Sequence, residues 1–321
     1  MHAFRKPLAS IVAIAALLVP QLAAAAPRAW MLPSETQFVG NGDEWLTVDA
    51  AISTDLYYYD HPAQPWTPVA YAPDGTELAV ENVGKGKLRL TFDLHLTQRG
   101  TYKLAIVSDG VMGSYMLGGE RKMLPRGTTT ATLAQAIPAG ATEVWTAENN
   151  SRIETFVTAG QPTTAVFKPV GKGIEMVPVT HPNDLAVGES ATFQFLLDGK
   201  PAAGLAVTAV NGGVRYSDGL KQLSLTTDAE GKVTIKWPEP GMWWVSASMG
   251  SPRSEGGPGG PGGPGGPGRP EGAGSPGGPG PQGATPRPEG AGPGGPGEGG
   301  FRPIGPPQRR SSYAMTVEVI G

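Results

Sequence analysis

Cysteine is absent from the 321 residues, and there are only four histidines. The first absence excludes a disulfide framework, a thiolate metal site, a cysteine nucleophile and a lipid-anchored cysteine behind a leader. The second excludes a histidine-rich metal cage. Charge of one sign is lacking as well. Lys+Arg number 25 against 28 Asp+Glu, a formal charge of −3, so there is no basic face for nucleic acid. Apolar residues make up only 39%, and past the first 25 residues no apolar run is long enough for a membrane-spanning helix. Catalytic signatures are missing too: no Gly-x-Ser-x-Gly elbow, no His-Glu-x-x-His and no glycine-rich phosphate loop opening a helix. The chain is therefore expected not to be an enzyme.

Glycine (48) and proline (33) are in excess, but unevenly. Between Ser251 and Arg310 they fill 39 of 60 residues; elsewhere their content is that of a globular protein. One low-complexity segment thus sits in a folded chain. Its Gly-X-Y runs break phase, which argues for a mixed polyproline II and glycine coil over a collagen triple helix.

Residues 1–25 have the order of a secretory signal peptide. Arg5 and Lys6 precede the apolar stretch Leu8–Leu22, and small alanines follow. Cleavage is expected at Ala25/Ala26, giving an exported protein without a transmembrane segment.

Period-two alternation then dominates. Leu88, Leu90, Phe92, Leu94 and Leu96 share one face; Arg89, Thr91, Asp93, His95 and Thr97 share the other. This is a strand with one buried and one wet face, and Tyr102, Leu104 and Ile106 give its partner. Strands are also predicted over Trp45–Ile52, Leu56–Tyr59, Arg152–Thr158, Ala191–Leu196, Ala206–Val210, Gln222–Thr226, Lys232–Trp237 and Trp243–Met249. The only helix-like stretch is Thr130–Ala136, stopped by Pro138. Short strands with turns at this spacing predict an all-β fold of two Ig-like β-sandwich domains, 26–160 and 173–321, joined by a linker at 161–172. Arg99–Leu104 and Pro240–Val245 echo each other as a glycine turn before an aromatic-bearing strand; a shared construction and chance both explain this. Tyr313, Met315, Val317 and Val319 alternate beyond the glycine/proline segment. That strand is predicted to pair antiparallel with Trp243–Met249, making 251–311 a disordered loop inserted before the last strand.

Candidate metal ligands are few. His61, Asp60 and Asp55 frame the run Tyr57-Tyr58-Tyr59; His95 and Asp93 stand two apart on one strand face, roughly 7 Å from each other. Imidazole with carboxylate suits Ni, Co, Zn or Fe. Against this stand a solvated face for His95 and Asp93, and a core or a carbohydrate platform for the aromatic run. Glu175, His181 and Asp184 lie just past the linker, where they suit clamping it better than ligation.

Three stretches carry a family resemblance: Ala29–Ser34, Asp55–His61 and Gly173–Pro178. Together they resemble a bacterial envelope family of unknown function whose members are often labelled periplasmic components of nickel or cobalt uptake. Gly199–Gly204 with Thr226–Gly231 and Pro240-Gly241 is similar to a small Ig-like or carboxypeptidase-regulatory-like sandwich. The first resemblance implies a non-enzymatic periplasmic protein that binds a transition metal or metal complex and assists its uptake, with an inner- or outer-membrane metal transporter as partner. The alternative is an envelope interaction module that holds a transporter or a cell-envelope polysaccharide.

Overall fold

The fold follows from strands that bury one face locally and then meet across long sequence distances. The computed structural model describes residues 27–213, 221–249 and 308–321. The signal-peptide reading and the coil reading of the glycine/proline segment up to residue 307 lie outside these residues. The first half holds β1 (Arg28–Pro33), β2 (Gln37–Phe38), β3 (Glu44–Ser53), β4 (Pro68–Tyr71), β5 (Glu77–Leu78), β6 (Glu81–Lys85), β7 (Leu90–Leu96), β8 (Gly100–Leu117), β9 (Glu120–Met123) and β10 (Thr142–Ala159). The short helix α1 (Leu133–Ala136) precedes β10. The second half holds β11 (Ile174–Pro178), β12 (Ser190–Leu197), β13 (Lys200–Pro201), β14 (Ala206–Asn211), β15 (Gln222–Thr226), β16 (Lys232–Lys236), β17 (Gly241–Met249) and β18 (Gln308–Val319).

These strands form three sheets. The first is β1-β3-β7-β6. A long central sheet runs β15-β14-β17-β18-β10-β8-β4-β5. The third is built on β12, which pairs with β11, β13 and β16. The fold is all-β and sandwich-like, and the two sandwiches share the central sheet. Its seam is a parallel pairing of β10 with β18, from Ala147↔Gln308 to Thr155↔Thr316.

Period two along β10 shows how the layers stack. Ile153 and Val157 enter the core under the first sheet, with Leu46, Val48, Phe92, Leu94, Tyr102 and Leu104. Phe156 enters the second core, with Phe193, Phe195, Trp237, Trp243 and Met315. Residues of opposite parity point to opposite faces, so the outer sheets cover opposite faces of the central one. A third cluster joins Trp30, Ala51 and Leu56 of the first half to Val210, Trp244 and Ala314 of the second.

The expected pairing of the last two strands is present: β17 and β18 run antiparallel from Gly241↔Val319 to Met249↔Ser311. β18 starts at Gln308, so residues 308–311 of the expected loop are strand. The strand expected over Leu56–Tyr59 is a turn instead. Tyr57 has φ 64°, which a strand cannot contain, and its ring packs edge-on against Trp30 at 5.3 Å. Leu88, expected in the buried row, is exposed ahead of β7. Both faces of β8 are partly buried near its start, with Thr101 and Ala105 at 0% exposure like Tyr102 and Leu104, because the central sheet is covered on both sides there.

The sequence echo is a structural repeat. Gly100 (φ 131°) opens β8 and Gly241 (φ 117°) opens β17. Two residues on, Tyr102 donates its hydroxyl to the Gln98 carbonyl at 2.8 Å. Trp243 donates Nε1 to the Glu239 carbonyl at 3.0 Å. Each aromatic ring thus fills a core while its polar end satisfies a backbone group four residues upstream.

Candidate functional site

Residues of one parity on β4, β8 and β10 face away from the first sheet, and only part of that surface is covered by the third. The connector between the halves crosses the remainder. Its short 3₁₀ turn, Ala165–Phe167, buries Val166 and Phe167. The Phe167 ring meets Phe156 at 5.1 Å and His181 at 5.4 Å. Floor and connector enclose a cleft of about 800 Å³ lined by Tyr71, Lys103, Arg152, Phe167, Lys168, Val170 and Pro178, among others. It continues past Tyr71, Arg152 and Val170 into a second space of about 300 Å³ that reaches Val107 and Lys172. Mostly apolar walls with a few convergent polar groups are what a small-molecule site requires.

A buried ionic network forms one wall of the cleft. Arg152 donates Nη1 to Glu154 at 3.2 Å and sets Nη2 3.9 Å from Glu175. Tyr313 donates its hydroxyl to Glu154 at 2.8 Å. Burial, then the neighbouring Glu154 charge, pushes the Tyr313 phenol well above its ordinary range, so it stays a donor. Glu175 accepts the amides of Val170 at 2.8 Å and Gly171 at 2.7 Å, clamping the connector to β11. His181 holds the connector from the other side. Its Nδ1 accepts the Asn183 amide at 3.2 Å, leaving Nε2–H to donate to Thr101 Oγ1 at 3.0 Å and to the Thr163 carbonyl at 3.3 Å. Burial lowers its pKa, against smaller raising contributions from the Thr163 carbonyl and Asp184.

Lys103 differs from these. Its ammonium lies 4.9 Å above the Tyr71 ring centre, on the cleft floor. Among the described residues no carboxylate comes within ion-pair distance of it, whereas both carboxylates of the network are already engaged. The cleft therefore presents the Lys103 ammonium on an aromatic face, with Lys168 on the same lining and with Asp74, whose carboxylate accepts from Thr76, as the acidic side chain of that lining.

The residues singled out as metal ligands lie elsewhere. Asp60 and His61 meet, Oδ1 to Nδ1 at 2.6 Å, and Asp60 also accepts the Thr54 amide at 3.0 Å. Burial pushes the Asp60 carboxyl up, but the bonds from His61 and Thr54 outweigh it and hold it below the usual range. Asp55 is not bonded to that pair; its charge acts on Arg28. At the other end of β3, His95 takes Asp43 as partner, Nε2 to Oδ1 at 2.9 Å, and stacks on Trp45. Asp93 instead accepts Thr47 at 2.7 Å and Asn82 at 2.8 Å. The two histidines stand roughly 30 Å apart, judged by the rise along β3. Among the described residues no three or more His, Asp or Glu side chains gather as a metal site. The cleft was invisible to spacing arguments because its residues come from five separated segments.

Solved structures with some likeness include the Yersinia pseudotuberculosis adhesin InvE, with 14% identity, 69% of this chain and 54% of that chain covered, and a TM-score of 0.20. The D0-D1 domain of Intimin has 16% identity, 69% and 91% coverage and a TM-score of 0.21. The Bacillus anthracis TIE protein has 13% identity, 70% and 35% coverage and a TM-score of 0.15. This chain spans about half the length of the Yersinia adhesin chain, and superpositions at this level carry no argument about function. No curated protein matches the sequence. Residues 24–251 match the family model described as Domain of unknown function (DUF4198), and the chain belongs to that family.

Proposed function

We propose that this chain is a non-catalytic, exported binding protein of the bacterial envelope that captures a transition-metal complex, as an anionic chelate, in the connector cleft and passes it to a membrane transporter. The observation that carries this reading is the Lys103 ammonium, held over Tyr71 at 4.9 Å in the cleft lining and, among the described residues, outside ion-pair distance of every carboxylate. Among the described residues a bare ion would meet at most a His–Asp pair, such as Asp60 with His61. A carboxylate chelate brings its own metal donors and offers outward oxygens to an ammonium, so this chain need supply only charge and an apolar wall. Hydrogen bonds to charged groups are worth about 1.5–3 kcal/mol net.

Calorimetric titration tests the reading, using nickel citrate, metal-free citrate and free Ni²⁺ in turn. The chelate is expected to bind, and Lys103→Met to weaken it by about tenfold or more. Free Ni²⁺ binding that His61→Ala abolishes, with no heat from the chelate, would replace this reading by the Asp60–His61 ion site.

A further inference from the structure

A second surface, remote from the cleft and independent of its ligand, has the construction of a binding platform. It is the solvent face of β3, β7 and β6. We infer that this face binds a hexosamine-containing glycan bearing free amino groups.

Trp45 carries the argument. It is 49% exposed, yet it is not loose. The His95 imidazole stacks on one side of it at 4.4 Å and 2°, and Asp43 fixes that imidazole through Nε2 at 2.9 Å. β1 ends at Pro33 opposite Val48, so Trp45 lies beyond the end of the neighbouring strand. A single exposed apolar side chain needs no explanation. A tryptophan braced by a stacked, carboxylate-anchored imidazole is an oriented aromatic face, which suits the C–H face of a pyranose ring.

The rows beside it supply polar edges. Next along the strand pair stand Thr47 and Asp93, directly opposite each other. Thr47 Oγ1 and Asn82 Nδ2 each donate to one Asp93 oxygen, at 2.7 and 2.8 Å. The carboxylate is thereby oriented, with lone pairs still open to solvent. The following row holds Asp49, which accepts the Tyr59 hydroxyl at 2.9 Å; Arg89 lies over the Tyr59 ring at 4.8 Å. Trp45, Thr47 and Asp49 span roughly 14 Å along β3, and three strands give a width of roughly 10 Å, the footprint of a short oligosaccharide.

Charge selects the occupant. Asp43, Asp49, Asp93 and the exposed Glu81 opposite Asp93 outweigh Arg89 and an imidazole. The face repels polyanionic glycans and complements protonated amines.

The full chain is titrated with glucosamine oligosaccharide, its N-acetylated counterpart and an oligogalacturonate, by calorimetry and tryptophan fluorescence. The glucosamine oligomer is expected to bind best and the galacturonate not at all. Trp45→Ala should lower affinity by about tenfold, and Trp45→Phe should keep most of it while abolishing the fluorescence response. Because Trp45 is half exposed, both variants should unfold at the wild-type urea concentration. Unchanged affinity in Trp45→Ala, preference for the galacturonate, or no binding of any of the three would overturn the inference. None of these outcomes bears on Lys103 or the cleft.

Discussion

Replacing Arg152 by methionine tests whether the network behind the cleft holds the two halves together. The side chain is 11% exposed, and its partners Glu154 and Glu175 are 5% and 7% exposed. The change leaves two buried carboxylates without their shared cation. Removing one partner of a buried ion pair costs about 3–5 kcal/mol. Here Glu154 keeps the Tyr313 hydroxyl and Glu175 keeps two backbone amides, which places the expected loss near the lower figure, about 3 kcal/mol. For a chain of this size that is a fall in Tm of about 5 °C. Urea unfolding followed by tryptophan fluorescence reads it as a lower midpoint at unchanged slope. The triple variant Arg152→Met, Glu154→Gln, Glu175→Gln removes every charge and is expected to recover most of the loss, since neutral replacements of a buried ionic cluster are often tolerated. A loss below about 1 kcal/mol for Arg152→Met, or a triple variant no better than the single one, would refute the view that desolvated charge governs this seam.

Other perturbations test neighbouring features. His181 is harder to protonate in the fold than in the unfolded chain, so the unfolded chain takes up more protons as pH falls through about 6.5, and the stability this neutral imidazole contributes is present above that pH and lost below it. Urea midpoints measured from pH 7.5 to 5 should fall less in His181→Gln than in the wild type. Tyr102→Phe strands the Gln98 carbonyl and should cost about 1 kcal/mol; Trp243→Phe should cost more, because the smaller ring also leaves a cavity. Gly212→Ala places a Cβ 2.3 Å from the Tyr57 ring, which packs against the fully buried Trp30 and has little room to give, and should destabilise by about 1–3 kcal/mol. Differential scanning calorimetry of each variant checks these values.

What the sequence disclosed tracks how local each feature is. β7 was legible because Leu90, Phe92, Leu94 and Leu96 alternate with polar residues over one wet face. The outer reaches of β8 and β10 were not. Beyond Val107 the strand pair buries only a small cluster around Val111, Tyr115 and Leu124, so alternation fades although pairing continues to Met116↔Thr142. The parallel seam between β10 and β18 joins residues about half the chain apart, and nothing in either strand names the other. Tyr57-Tyr58-Tyr59 read as the end of a strand, and equally well as core or carbohydrate platform; with Tyr57 left-handed it is a turn that wedges Trp30 against the second half. Of the site residues, Asp60 with His61 were adjacent and readable. Lys103 and Arg152 looked like ordinary outward residues, because only the crossing connector turns their strand face into a cleft.

The same seam sets what can be done to the segment between β17 and β18. Met249 lies opposite Ser311, so the chain leaves and re-enters at one place. β18 nevertheless starts earlier, at Gln308, and its first residues pair with β10. Arg309 is held there by both oxygens of Asp198, which lowers that carboxyl and raises the guanidinium. A two-residue hairpin turn after Met249 would therefore pull Arg309 off Asp198 and unpair three residues from β10. A replacement of about six residues of glycine and serine, ahead of an intact Gln308–Arg310, spans the roughly 10 Å that must be retraced. If residues 250–307 contribute only the entropy of closing a loop, that exchange should raise stability by on the order of 2 kcal/mol while the Lys103 and Trp45 sites keep their affinities. The urea midpoint decides it: a shortened chain that is less stable than the wild type would mean that the glycine/proline segment makes stabilising contacts with the sandwiches, and the two-residue turn, expected to be the less stable of the two replacements, separates the cost of losing the Arg309–Asp198 clamp from the gain in loop entropy.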